Sequence, residues 1–321
     1  MMESGENLKI SDLQSGDAGD PHEGAHSANR CVVIIPSAES ERWITEIRSA
    51  ASANGLHAVV VDGQSSALPD PADHAIIITH DPMLVCGLAN CHFAVIAVDL
   101  ETSPAEVSRT FHIAAPEATR VASALLANTW VLPKETFWVS DSTRPEHGEL
   151  ILFPGFKIRA PEPRVLSGHA EAPLPINEAF SIFADGPPAV GAQARWSQEL
   201  FSYDHRRIAE RTHIYDMDIT GPARALLFGP YVSLPPGAWR ASVRFTVDED
   251  AATHRYRFEW GTPRENGYVS VLCRPGTSGI FELALDYDWT EVAPAEFRII
   301  LTQGSLGGEF SFLGMVVERT G

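Results

Sequence analysis

His80 and Asp81 close one apolar run at Thr79-His80-Asp81-Pro82, and Asp99 closes another at the end of FAVIAV. A histidine and carboxylates at such positions are the groups acid–base catalysis uses, and open α/β sheets hold their ligands beyond strand ends. His80, Asp81 and Asp99 are therefore the catalytic candidates, with a nucleotide-sugar or other phosphorylated compound as substrate. The plainer use of the same residues is a hydrogen-bonded histidine and acids that shape turns. Asp62 ends a further run, where dinucleotide-binding folds place a ribose-binding acid, but the first run is followed by no G-x-G-x-x-G and the chain has no P-loop. Ser37 lacks the G-x-S-x-G surroundings of a hydrolase nucleophile. An anion could rest against a helix N-terminus beside it.

Cys86, Cys91, His80 and His92 lie within a short stretch, but the two cysteines are five residues apart, outside the usual structural-zinc spacing. No metal and no cofactor is expected, and no run of closely spaced acids calls for calcium. The four cysteines, Cys31, Cys86, Cys91 and Cys273, are expected as thiols in a chain without a secretory signal. The densest polar cluster is SYDHRRIAERTHIYDMD, where Arg206, Arg207 and Arg211 are the candidates for holding an acidic ligand. The alternative there is a solvated loop of surface ion pairs.

Two kinds of segment must position these groups. CVVII at 31–35, HAVVV at 57–61, AIIIT at 75–79 and FAVIAV at 93–98 are continuous apolar runs, as expected of strands covered by helices on both faces. Helices are expected over 39–53, ending before Asn54-Gly55, and over 116–128, with Pro116 in its first turn. Residues 30–130 thus read as a small parallel-sheet α/β domain of flavodoxin-like or Rossmann-like layout. From 131 to 176 the chain is rich in proline but carries Phe137, Trp138, Ile151, Phe153 and Phe156, with Trp130 just before it, so it reads as a bridging segment pinned across a domain interface, with the seam at 160–176.

The rest, 177–321, is all-β. In GAWRASVRFTV, Trp239, Ala241, Val243, Phe245 and Val247 face one way and Arg240, Ser242, Arg244 and Thr246 the other, which is a strand buried on one side and wet on the other. Further strands are expected at 224–228, 254–260, 268–273, 279–287, 296–303 and 309–318, with Gly/Pro turns between them. That spacing predicts an antiparallel β-sandwich of jelly-roll type.

The chain has 321 residues and a formal charge of -18. Its halves, 1–160 and 161–321, carry -11 and -7, so neither is a basic domain and nucleic acid is not the expected partner. Residues 1–29 are acidic and loosened by Gly and Ser, and are expected to be disordered; His22 and His26 within them are not read as a metal site. No leader and no run long enough to span a bilayer is seen, so a cytoplasmic location is expected. The oligomeric state stays open.

The segment FGPYVSLPPGAWRASVRF, followed by EFRIILTQGSLGGEFSFLGMVVER, resembles carbohydrate-binding-module-like jelly rolls of the kind attached to bacterial surface-polysaccharide biosynthesis proteins. Leu234, Pro235, Gly237, Trp239 and Phe245 match the pattern L-P-x-G-x-Y/W-x-x-x-x-x-F, and Leu313, Gly314, Val316 and Arg319 follow its late strand more loosely. The resemblance covers about 177–320 and implies a non-catalytic glycan-recognition or accessory role. Sugar sites combine aromatic rings with charged groups that orient hydroxyls. The residues placed for this are Tyr231, Tyr268 and Trp289 as stacking surfaces, with Arg240, Arg244, Arg257 and Glu259 as polar contacts. A glycan or glycan precursor is the expected partner. An enzyme working at the α/β domain, and a structural protein that binds a protein partner, are the competing readings.

Overall fold

The computed structural model describes residues 29–61, 75–145, 148–164, 175–204, 215–264 and 267–321. Residues 1–28 of the tail expected to be disordered, Asp62, and the Arg206, Arg207 and Arg211 cluster lie outside these residues, while Asn29, expected as the end of that tail, opens the first strand.

The first half is a parallel sheet with helices on both faces, of Rossmann-like or flavodoxin-like layout. Its strands are β1 (Asn29–Ile34), β2 (His57–Val61), β3 (Ala75–Thr79), β4 (Cys91–Ala97) and β5 (Phe137–Ser140), in the order β2-β3-β1-β4-β5. Helix α1 (Ser40–Ala53) follows β1; α2 (Ser103–Phe111) and α3 (Ala115–Asn128) connect β4 to β5. On one face, Val32, Ile34, Ile76, Ile78 and Ile96 pack with Trp43, Ile44 and Ile47 of α1. The hairpin β6 (Glu149–Phe153) and β7 (Phe156–Arg159) completes that layer through Leu152, Phe156 and Ile158. The stretch expected to bridge the halves therefore supplies a fifth strand and a cover for the sheet. Phe153 and Phe156, both about 2% exposed or less, find their burial within the first half.

After α4 (Pro175–Phe180), short strands β8 (Gln193–Trp196), β9 (Ser202–Tyr203) and β10 (Asp216–Asp218) precede the long ones. These are β11 (Arg224–Leu234), β12 (Gly237–Val247), β13 (Tyr256–Thr262), β14 (Gly267–Cys273), β15 (Gly279–Trp289), β16 (Ala293–Leu301) and β17 (Glu309–Arg319). They form two antiparallel sheets: β10-β17-β12-β15 with β8 on β17, and β14-β13-β16-β11-β9. The alternation along β12 holds. Trp239, Ala241, Val243 and Phe245 are fully buried, while Arg240 and Arg244 are exposed. Phe245 stacks on Phe310 at 5.2 Å and on Phe281 at 5.5 Å within its own sheet and meets Phe258 of the other sheet at 5.0 Å, so the two sheets close on an aromatic core. Burial of each such ring contributes about 1.5–3 kcal/mol.

The second face of the parallel sheet does not stop at its helices. Cys31, Val33, Val95, Ala118, Ala122 and Leu126 belong to one apolar cluster with Val232, Trp239 and Phe297 of the sandwich. Helix α3 lies between the halves, and Ser233 N–H donates to Ser123 Oγ at 3.0 Å across that junction. A protease site introduced within 165–174 should yield a stable C-terminal fragment beginning near 170. The two fragments should still co-elute on gel filtration, because α3 packs on β11; halves that separate freely would show the junction to be weak. No described helix is long and apolar enough to cross a membrane.

Candidate functional site

Strands β1 and β4 are neighbours, yet α1 leaves to one face of the sheet while α2 and α3 cover the other. This is the point in an open α/β sheet where a crevice forms beyond the strand ends. A cleft of about 540 Å³ lies there. Glu39 enters it from the turn after β1, Asp99 and Glu101 from the turn after β4, and Asp141, Ser142 and Arg144 from the turn after β5. Asn177, Phe180, Ser181 and Asp185 close it from α4 and the turn that follows, with Pro163 and Arg164 at the side.

One wall is a buried ion pair. Arg144 Nη1 donates to Glu39 Oε2 at 2.5 Å, and each side chain is 2% exposed. Arg144 Nε donates to the Pro161 carbonyl at 2.9 Å, and the guanidinium stands 5.4 Å from the Trp43 ring. The other Glu39 oxygen accepts Arg164 N–H at 2.7 Å. The pair thus joins three separate turns into one rigid edge.

Asp99 occupies the other side. Its φ of +52° lies in the left-handed region, uncommon for a residue with a side chain and a form of strain that collects at functional sites. Its N–H donates to Asp141 Oδ2 at 3.0 Å, and Thr102 Oγ1 lies 2.9 Å from its Oδ2. Thr102 Oγ1 also accepts Ala38 N–H at 2.9 Å, which ties the turn to the end of β1. Burial pushes the Asp99 carboxyl up to about 6. The Thr102 hydrogen bond works against that rise, and the Glu39, Glu101 and Asp141 carboxylates add to it. Nearby, Asn177 Nδ2 donates to Glu101 Oε2 at 2.9 Å, while Asn177 Oδ1 is enclosed and accepts no hydrogen bond. Ser142 Oγ donates to Asp185 Oδ1 at 2.6 Å.

The lining therefore has five carboxylates against two guanidinium groups. Hydrogen-bond acceptors are in excess, so a complementary ligand brings donors, such as hydroxyl or amino groups. A phosphate would meet repulsion. The turn beside Ser37, considered for an anion, carries Glu39 and takes part in the same acidic edge. Among the described residues, no group of three or more His, Cys, Asp or Glu side chains is placed to hold a metal ion.

Of the catalytic candidates, only Asp99 lines this cleft. His80 sits across β1 from it, with Nδ1 2.7 Å from the Ile34 carbonyl, and Asp81 Oδ1 accepts Met83 N–H at 2.9 Å as a turn cap. Glu39, Asp141, Arg144, Asn177 and Asp185 were not anticipated. Glu39 and Asp141 lie just past β1 and β5, the one available signal; Asn177 and Asp185 come from residues with no such mark.

The second cluster lies on the outer face of the β14-β13-β16-β11 sheet. Glu296, 5% exposed, accepts the Tyr231 hydroxyl at 2.7 Å and also the Tyr268 hydroxyl. Arg298 lies over the Tyr268 ring at 3.9 Å, and its Nη2 is 2.7 Å from Glu259 Oε2. Arg257 Nε pairs with Glu259 Oε1 at 2.8 Å. Tyr231 itself has a φ of +66° within a bulge of β11, and its ring stacks under Arg120 of α3 at 4.3 Å. Burial, aided by Glu296, pushes the Tyr231 hydroxyl up to about 12 and raises that of Tyr268 as well.

Tyr231, Tyr268, Arg257 and Glu259 are thus brought together, with Glu296, Arg298 and Arg120 added. Glu296 and Arg298 occupy the outward positions of β16, a signal the alternation with Phe297 and Ile299 carried. The other three glycan candidates are elsewhere. Trp289 is 4% exposed and packs in the core against Tyr287 at 4.6 Å and Trp260 at 5.1 Å, so it offers no stacking surface. It continues the inward parity of Phe281, Leu283, Leu285 and Tyr287. Arg240 and Arg244 project from the opposite sheet, where Arg240 Nε pairs with Asp286 Oδ1 at 2.8 Å.

No protein-family model matches the chain, and no curated protein matches its sequence. Its structure is similar in part to several solved carbohydrate-binding modules. TmCBM61 in complex with beta-1,4-galactotriose is 11% identical, over 44% of this chain and 95% of that one, with a TM-score of 0.27. A Family 16 Carbohydrate Binding Module-2 is 12% identical over 32% and 73%, with a TM-score of 0.25. A module from Cellvibrio mixtus lichenase 5A in complex with cellotriose is 12% identical over 41% and 100%, with a TM-score of 0.23. At TM-scores this low, neither the ligands nor the activities of those proteins bear on this chain.

Proposed function

We propose that this protein recognises a saccharide, and that its principal site is the cleft beyond β1, β4 and β5. One observation carries the reading: a cleft of about 540 Å³ whose polar lining is dominated by acceptors, five carboxylates against two guanidinium groups. Sugar hydroxyls are donors that satisfy such a lining without bringing the negative charge of a phosphate. Leu100, half-buried, offers apolar surface beside the carboxylates. The role is binding, in keeping with an accessory part in polysaccharide assembly.

A second reading is favoured by the tyrosine pair on Glu296. There the saccharide lies on the open edge of the sandwich face, near Tyr268, Arg257 and Arg298. Against it, Arg298 and Arg120 already cover one face of each ring.

Titration calorimetry of the full chain against a panel of neutral mono- and oligosaccharides separates the two. Asp185→Ala and Ser142→Ala should each weaken binding about 10-fold or more, the usual loss for a hydrogen bond to a charged group, while Tyr268→Ala leaves it unchanged. The reverse pattern moves the site to the sandwich. Absence of binding by any saccharide in the panel would sink both readings and leave a protein-partner role ahead.

A further inference from the structure

All four cysteines are free thiols, but two of them are not independent. Cys31 of β1 and Cys91 of β4 place their Sγ atoms 2.9 Å apart. Cys31 is fully buried, and Cys91 is partly open. Cys91 also lines a groove of about 550 Å³ with His92, Pro133, Phe137 and Ile151, at the opposite end of the strands from the cleft. The remaining cysteines have no such neighbour: Cys86 Sγ points to the Met83 carbonyl at 3.4 Å, and Cys273 lies on β14.

We propose that Cys91 and Cys31 form a modification site, a dithiol oxidised to a disulfide by a hydroperoxide, with Cys91 the attacked thiol and Cys31 the resolving one. The groove admits a small oxidant to Cys91 and not to Cys31. A thiol must lose its proton to react, and the hydrogen bond shared with Cys31 holds the Cys91 thiol below its ordinary range, with burial working against it. The Cys91 thiolate attacks one peroxide oxygen, the O–O bond breaks, and the departing oxygen takes a proton to leave as water or an alcohol. Cys91 is then a sulfenic acid. The Cys31 sulfur, giving up its proton, attacks the Cys91 sulfur and displaces hydroxide, which leaves as water. Two thiols have lost two electrons, and one hydroperoxide has been reduced. Joining the sulfurs requires them to close from 2.9 Å to about 2.05 Å. Cys91 is the first residue of β4, so its backbone is held by the strand on one side only.

The test treats the full chain with hydrogen peroxide, removes the peroxide, unfolds the chain and counts thiols with a chromogenic disulfide. The Cys86→Ser variant should fall from three titratable thiols to one, and non-reducing peptide mapping should show a link between 31 and 91 that dithiothreitol reverses. In Cys31→Ala the sulfenic acid should persist and be trapped by dimedone on Cys91; in Cys91→Ala no dimedone adduct should form at Cys31. An unchanged thiol count in Cys86→Ser, or a link that involves Cys273 instead, would overturn the assignment. So would dimedone labelling of Cys31 rather than Cys91. The Cys86→Ser variant keeps both core thiols, so the test stands even where a Cys31 variant folds poorly.

Discussion

Asp99→Asn is expected to make the folded protein more stable at pH 8 and to remove saccharide binding by the cleft. The sign follows from the raised carboxyl. At about pH 3 and below an aspartic acid is mostly neutral in both the folded and unfolded chain, and Asp99 then contributes almost no penalty. As the pH rises toward its folded value of about 6, the unfolded chain ionises first and the folded state loses stability. At pH 8 the full shift corresponds to about 3 kcal/mol, and partial contact with solvent brings this nearer to about 2 kcal/mol. Asparagine is never charged, and it tolerates the left-handed backbone that Asp99 adopts. Urea unfolding at about pH 3 and about pH 8 checks the expectation. The variant and the parent should match at the acid value and differ at the alkaline one. An equal difference at both values would show that the carboxyl is not the cause. A stabilised variant that binds nothing would also identify Asp99 as a residue held against stability for use.

The opposite outcome is expected at the buried edge of the same cleft. Arg144→Met leaves Glu39 enclosed with no counter-charge, and should cost about 3–5 kcal/mol of stability. The double variant Glu39→Gln, Arg144→Met should recover a large part of that loss. The glutamine amide keeps an oxygen for Arg164 N–H and no longer strands a charge. Chemical unfolding of parent, single and double variants gives the comparison. A single variant within about 1 kcal/mol of the parent would mean that water reaches Glu39 and that this edge is not rigid.

Much of the fold could be read along the chain because its signals are local. The unbroken runs at 57–61 and 75–79 became β2 and β3 with those bounds, and the alternation over 238–247 became β12. The same parity places Trp289 inside, as the residue two beyond Tyr287. Helix α2, nine residues against fourteen in α1 and α3, was not anticipated, and the short strands β8, β9 and β10 offer too few residues for a period to show. The candidate site was legible in one residue, Asp99. Strand-end positions are visible in a sequence, but which strand ends meet depends on strand order, and no local pattern encodes the order β2-β3-β1-β4-β5.

The sequence by itself determined the two classes of sheet, the acidic balance and the separation of apolar from polar faces, because each rests on residue type and short-range period. Only the tertiary structure decided which polar groups share a space. It placed Glu39 against Arg144, 105 residues away, and gathered Tyr231 and Tyr268 onto Glu296. It also parted His80 from Asp99 and Arg240 from Arg257. Those outcomes follow from sheet register and helix packing, which sum many weak contacts over the whole chain and leave no mark at any one position.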